Sequence, residues 1–428
     1  MMVDGSMPKD PAWERHRASL ATQAAFVRSF SPLTAALLEQ ACQWLDDPEA
    51  RGREFGKLET VVDSCKRLVE LLTDEDEDED QDTGWIDDLK PALRLNAYLH
   101  WYVLQEDPRV VDIVPYYATV TSHPRKPTDE EFPRRLLSAM DALGAELFER
   151  ARNWRVITNE TSRGIVWLLP TVLVGAEAVH LVELQCSVGL NLYAEQRGFD
   201  LAWTSSKRLH LGRRKKEEYL TVCEGSMPEL EGFTEQDCRG PEVLTRVGGE
   251  RNPSALEQPD FESHLEASIW GDQRRRLDTL RSGMKVHRRA RAGAGNLRPV
   301  EILPLELPNN LTEFLAKAIP ANADDPVVVY NTYATAYLSD VNERAFAREM
   351  RDFARSWSLR HKLPWMWVRF EPARAGRQPP HPGWCNWVVE LFRGSKHKTI
   401  ELGWAHPHLA RAEFGPGLIQ LRNLRDRR

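Results

Sequence analysis

The chain has 428 residues and a mass of 49.1 kDa. Apolar residues make up 42% and charged residues 28%, with a mean hydropathy of −0.50, which supplies ordinary folded cores and excludes a wholly disordered chain. At about 100–200 residues per domain this length predicts two domains. Of the net charge of −7, eight acids lie in residues 74–80 and at Asp82, so the rest of the chain carries +1.

No stretch approaches the roughly 20 apolar residues of a membrane helix, and the first residues lack a charged-then-apolar leader pattern. The expectation is a cytoplasmic protein with no membrane partner. The six cysteines are scattered without a C-x-x-C pair, which argues against a disulfide framework and against structural zinc.

In chain order, residues 1–153 read as a helical domain. Pro11 and Ser31-Pro32 mark helix starts, because Pro is tolerated at the first helical position and Ser can accept from the exposed N–H groups. Apolar residues then recur at helical spacing (Leu33, Leu37, Leu38, Ala41, Leu45), and again over 55–72 (Leu58, Val61, Val62, Cys65, Leu68, Leu72). The acidic run 74–82 follows, where dense like charge opposes compaction and predicts a disordered loop. Leu93, Ala97, Trp101 and Leu104 mark a third helix. The fourth opens at Thr128 with the spacing of a capping box to Glu131 and is expected to run to about 153.

From residue 154 to 428 short apolar runs alternate with helical segments. Strands are expected at 179–184, 243–247, 300–303, 326–330 and 365–370, with helices at 187–197, 273–289, 311–318 and 340–357. Such alternation predicts a mostly parallel sheet covered on both faces. Residues 384–392 and 399–404 flank Arg393-Gly394-Ser395-Lys396, so an antiparallel hairpin comes last, with 399–404 antiparallel within the sheet.

The best local signal is the strand ending in Glu183, followed by Gln185-Cys186-Ser187-Val188-Gly189 and a helix start at Leu190-Asn191-Leu192. In doubly wound folds ligands bind outside the carboxyl ends of such strands, where small residues admit a close approach of backbone N–H groups and the acid accepts from an amine or hydroxyl. Only the third glycine of the nucleotide-binding pattern is present, so an ordinary strand-to-helix turn is an equal reading. Glu250, after another strand, is placed to hold ribose hydroxyls or to sit on a surface turn beside Gly248-Gly249. Thr158-Asn159-Glu160 precedes an apolar helix and reads either as its cap or as ligand contacts. His406-Pro407-His408 is a poor metal site without a nearby acid or cysteine, and no metal is expected.

These residues resemble the bacterial family designated domain of unknown function 2332, over about residues 31–414. The resemblance is carried by Thr158-Asn159-Glu160 with Arg163, by Glu183 with Ser187-x-Gly189-Leu190-Asn191-Leu192, and by Arg246-x-Gly248-x-Glu250-x-Asn252-Pro253. Further matches are Ile269-Trp270-x-Asp272-Gln273-x-Arg275, Ala336-Tyr337-Leu338 and His406-Pro407-His408. The family resembles class I S-adenosylmethionine-dependent methyltransferases in its second half. The resemblance thus implies a Rossmann-like α/β domain behind an N-terminal helical domain, with S-adenosylmethionine as cofactor and methyl transfer to an unidentified small-molecule or macromolecular acceptor.

On that reading Asn159, Glu183, Ser187, Gly189, Asn191 and Glu250 bind the cofactor, while Glu160 and Asn331 orient the acceptor. Glu183, Glu250 and Asn331 are expected to line one cleft. Two positions depart from the family pattern: Gln185 stands where a glycine is usual, and Asn331-Thr332 stands where His-Ser is frequent. A side chain at 185 is expected to protrude where the cofactor's amino-acid portion would lie, so the alternative is a non-catalytic binding protein that has lost the cofactor. Nine Lys/Arg in 274–298 and a second basic group in 207–216 raise a nucleic-acid partner, which the near-neutral remainder of the chain does not favour.

Overall fold

The computed structural model describes residues 11–73, 90–154, 159–203, 207–214, 218–225, 237–253, 260–294, 297–374 and 377–425; the acidic run 74–82 lies outside them. It divides into two compact units, one of residues 1–158 with 260–278 and one of 159–259 with 279–428.

The first unit is helical: α1 (Pro11–Val27), α2 (Pro32–Asp46), α3 (Pro48–Glu54), α4 (Leu58–Thr73), α5 (Lys90–Leu104), α6 (Phe132–Leu143) and α7 (Ala145–Arg152). Leu33, Leu37, Val61, Leu68, Leu136 and Leu147 fill its core, as the helical spacing predicts. Ser31 caps α2, its Oγ accepting from Thr34 N at 3.1 Å and donating to Asp272 Oδ1 at 2.7 Å, while Asp272 Oδ2 accepts from Leu33 N. The Trp270-x-Asp272-Gln273 motif is therefore a staple of this unit, with Gln273 donating to Phe30 O.

The expected fourth helix differs in two ways. Gly144, at φ 56° and ψ −141°, breaks it into α6 and α7, and the helix starts only at Phe132. The capping box does not form. Asp129 takes the Glu131 N–H at 2.9 Å, and Glu131 is turned to pair with Arg135.

The second unit is α/β. After α8 (Ile165–Leu173) come β1 (Ala178–Leu184), β2 (Phe199–Trp203), β3 (Arg208–Leu211), β4 (Tyr219–Glu224) and β5 (Glu242–Glu250). The chain then passes through α9 (Phe261–Ala267), in the first unit, and α10 (Arg274–Arg291), inside which the division falls. It continues as β6 (Glu301–Pro304), α11 (Leu311–Ala318), β7 (Val327–Thr332), α12 (Asp340–His361), β8 (Pro364–Pro372), β9 (Cys385–Arg393), β10 (Lys396–Ala405), β11 (Arg411–Phe414) and α13 (Gly417–Arg425).

Among the described residues eleven strands form one sheet in the order β3-β2-β4-β11-β10-β9-β8-β7-β1-β5-β6. The run β8-β7-β1-β5-β6 is parallel throughout. Its order reverses at β1, whose two neighbours come later in the chain on opposite sides, which is the switch point where doubly wound folds bind ligands. The C-terminal hairpin β9–β10 is antiparallel, as expected, but β9 is the strand opposed to β8. Residues 399–404 in β10 therefore run along the parallel set rather than against it. Four short strands, β2, β3, β4 and β11, extend the sheet beyond the expected set.

The strand pleat sorts side chains onto two faces. Leu181, Val328, Tyr330, Val368 and Trp387 pack with α8 and α13 on one, whereas Val182, Leu184, Val329, Trp365 and Trp367 pack with α11 and α12 on the other. No helix among the described residues is long and apolar enough to cross a membrane.

Candidate functional site

Glu183 is the last residue but one of β1, on the face of Leu181 and Tyr330, and is buried. Its register partners are Gly248 on β5 and Tyr330 on β7. Burial pushes its carboxyl up to about 8; the neighbouring Tyr330 hydroxyl and Asn191 amide and the more distant Arg163 oppose the rise, and Glu250 adds to it. Glu183 Oε2 and Tyr330 Oη have no other partner among the described residues.

The loop after β1 turns through the left-handed region three times, at Gln185 (φ 58°), Ser187 (φ 51°) and Gly189 (φ 69°). The backbone thus takes a conformation that favours glycine at two positions that carry side chains, Gln185 and Ser187. Each such residue costs roughly 1–2 kcal/mol. The loop is held by β5: Cys186 N donates to Gly249 O at 2.9 Å, and Ser187 N donates to Glu250 Oε2 at 2.9 Å. Gly248 permits this approach, since a Cβ there would lie 2.3 Å from Cys186 Sγ. Glu250 Oε1 accepts from Arg251 N at 3.0 Å, so both carboxylate oxygens are fixed by backbone N–H groups. The glycine and acid of Arg246-x-Gly248-x-Glu250 thus shape and pin the loop. Arg246 pairs with buried Glu195 and lies over the Tyr193 ring at 5.2 Å.

The Gln185 amide reaches sideways to Leu305 O, at 3.4 Å. Residues 187–197 do not form the expected α-helix. A 3₁₀ turn spans Leu190–Gln196 and is interrupted at Tyr193, where φ is −110°. It carries Asn191 next to Glu183, with the Asn191 carbonyl accepting from Trp167 Nε1 at 2.9 Å and the side-chain Oδ1 unpaired.

The structure therefore brings together Glu183, Ser187, Gly189, Asn191 and Glu250. It separates Asn331 from them. Asn331 pairs in register with Leu184, not Glu183, so the pleat turns its side chain to the opposite face. There its Nδ2 donates to Glu371 Oε1 at 2.6 Å and its Oδ1 accepts from Trp367 Nε1 at 2.8 Å. Both ends of the amide are used within the fold, which rules out the expected acceptor-orienting position.

Glu160 is taken up as a cap. Its Oε1 accepts from Ser162 N and Oγ at the start of the 3₁₀ turn Thr161–Gly164. Asn159 beside it is buried with Oδ1 unpaired. Thr158 lies outside the described residues. The sequence reading missed Tyr330, whose only signal was its place at the end of an apolar strand two residues before Thr332.

Glu183 Oε2, Asn191 Oδ1 and Asn159 Oδ1 are acceptors, and Ser187 Oγ can serve either way; none has a partner among the described residues. A buried polar atom left unpaired costs about 1–3 kcal/mol. Such a set, at the switch point, suits a ligand that donates from an amine, amide or hydroxyl. The other face offers a groove of about 600 Å³ between α11 and α12, lined by Arg348, Asp352, Phe353 and Trp357, but no unpaired buried atom lines it.

A family model described as an uncharacterized protein conserved in bacteria (DUF2332) matches residues 50–413, most of the chain. No curated protein and no solved structure matches.

Proposed function

The chain belongs to that bacterial family, DUF2332, and we propose that it binds S-adenosylmethionine at the loop after β1 and transfers its methyl group to an acceptor. The observation that carries the reading is the loop itself. Three left-handed residues lie between an acid-tipped β1 and an acid-tipped β5, with Glu183 Oε2, Ser187 Oγ and Asn191 Oδ1 unpaired around it.

The residues fit the group. Glu250, fixed by two backbone N–H groups, is an acid of the kind that accepts from ribose hydroxyls, and Glu183 with Asn191 and Asn159 offers acceptors for an ammonium. Gln185 is turned toward Leu305, which favours this reading over a fold that has lost its ligand. When bound, S-adenosylmethionine supplies an electrophilic methyl on a sulfonium. The protein's own contribution is alignment and exclusion of water, and proximity of this kind supplies much of the acceleration in a group transfer. Glu183, held near 8, stays protonated at neutral pH until a cation arrives to displace the proton, so it serves binding rather than general-base chemistry.

Calorimetric titration with S-adenosylhomocysteine tests this. Binding is expected, and Glu250→Ala should weaken it by about 1–3 kcal/mol, the worth of charge-assisted hydrogen bonds. Absence of heat at millimolar ligand would end the proposal.

A further inference from the structure

Within the second unit, α10 roofs the ligand-loop side of the sheet. Gly283 sits so close that an added Cβ would lie 2.9 Å from Arg197 Nη1 and 3.3 Å from Thr161 Cγ2, and Val286 and Ala290 pack on Tyr193. The outer side of this stretch is strongly basic. From Thr279 to Ala294 there are five cations, Arg281, Lys285, Arg288, Arg289 and Arg291, and no acid, in a chain whose net charge is −7. All five are exposed. At 3.6 residues per turn, Arg281, Lys285, Arg288 and Arg289 fall within an arc of about 100°, with successive charges i and i+4 about 6 Å apart along the axis.

The fold adds a second basic element to the first. Arg214 Nη1 donates to Ser282 Oγ at 3.1 Å and pairs with Glu218, which also takes the Ser282 hydroxyl and the buried Arg197; this places the Arg213-Arg214 turn against the flank of α10, although about 70 residues of sequence lie between them. Arg213 and Arg214 are exposed. The field of the arginines is felt inside: His287 is held down to about 4, by burial first and then by Arg291 and Arg288.

We infer that this surface binds the phosphodiester backbone of a nucleic acid, through the outer face of α10 and the Arg213-Arg214 turn. Four of the five cations between Thr279 and Ala294 are arginines, whose planar fork matches phosphate oxygens. An anionic membrane fits less well. An interfacial helix needs an apolar side for the lipid; the apolar side of α10 is buried on Tyr193, and none of the exposed large apolar side chains lies on this helix. The inference is independent of the methyl-transfer reading.

The test is fluorescence anisotropy of the full chain with labelled single-stranded RNA and DNA 20-mers, beside flotation with phosphatidylserine vesicles. Oligonucleotide binding is expected at 50 mM salt, weakening about 100-fold by 200 mM if some five phosphates are neutralised. Lys285→Glu with Arg289→Glu should weaken it at least tenfold, and the neutral pair Lys285→Gln with Arg289→Gln by less, with unchanged circular dichroism. Neither position touches the loop after β1, so S-adenosylhomocysteine titration of the same variants should match the wild type. The inference is overturned if neither oligonucleotide binds at 50 mM salt, if the double variant binds as well as the wild type, or if only vesicles are bound. Salt-sensitive oligonucleotide binding in a protein that takes no S-adenosylhomocysteine would leave this surface standing and end the methyl-transfer reading alone.

Discussion

Two carboxylates stand at the carboxyl ends of the parallel strands, on opposite faces of one sheet, and they are finished differently. Glu371, on β8, accepts from Asn331 Nδ2, Ala334 N, Thr335 N and Thr335 Oγ1, all between 2.6 and 3.1 Å. Glu183, on β1, keeps an unpaired oxygen next to an unpaired tyrosine hydroxyl. Burial raises both carboxyls above their ordinary range. A saturated carboxylate organises its own turn, here the one that follows β7. An unsaturated one in the same fold has hydrogen-bonding capacity left over, at a cost to stability.

The sharpest way to break the contrast is to remove each acid. Glu371→Ala strands two backbone N–H groups, the Asn331 amide and the Thr335 hydroxyl, and should cost about 4–5 kcal/mol in urea unfolding. If the loss is under about 1 kcal/mol, saturation does not mean structure here and the comparison fails.

Glu183→Gln should go the other way, and with a pH dependence. The folded carboxyl titrates near 8, against about 4.5 when exposed, so between those values the folded state holds a proton that the unfolded state releases. Stability contributed by the protonated acid is whole below about pH 4.5 and is lost as pH rises toward 8. Glutamine has nothing to ionise. The variant should match wild type at pH 4.5 and exceed it at pH 9 by about 2–4 kcal/mol, allowing for local relaxation. Parallel stability curves at the two pH values would mean that Glu183 is already ionised and paired.

The same contrast shows what a sequence can carry. β1, β7 and β8 are mostly apolar runs, broken only by residues such as His180 and Arg369, and their parallel pairing follows from alternation with helices. β2, β3, β4 and β11 are short and polar-flanked; Arg208-Leu209-His210-Leu211 has too few residues for its period to stand out beside a basic turn. Glu183 and Glu250 could be placed on one edge because each ends a strand. Asn331 also ends a strand, yet its face depends on whether it lies level with residue 183 or 184 of β1, and a shift of one residue reverses the face. Register between strands distant in sequence is set by packing, which no local pattern contains. The turn at 190–196 escapes local pattern for a related reason: its residues suit a helix, but Gly189 enters it left-handed and Trp167 holds the Asn191 carbonyl out of the helical ladder.

The smallest effect probes whether the open side of the comparison is strained. Gln185 at φ 58° and Ser187 at φ 51° occupy glycine conformations. Relief of roughly 1–2 kcal/mol on substitution by glycine is offset by about 0.5–1 kcal/mol of unfolded-chain entropy, and for Gln185 also by the weak 3.4 Å bond to Leu305 O. Gln185→Gly should therefore stabilise by about 0.5 kcal/mol. Ser187→Gly should gain slightly more, since it also removes an unpaired hydroxyl. Gly189→Ala supplies the opposite sign: at φ 69° its Cβ would meet Val300 Cγ1 at 3.0 Å and Leu192 Cδ1 at 3.1 Å, and the expected loss is about 1–2 kcal/mol. Denaturant midpoints of the three variants, measured together, decide the matter. A loss of more than about 1 kcal/mol in Gln185→Gly would show that the side chain holds the loop, and the loop would then belong with Glu371 among the finished parts of the fold.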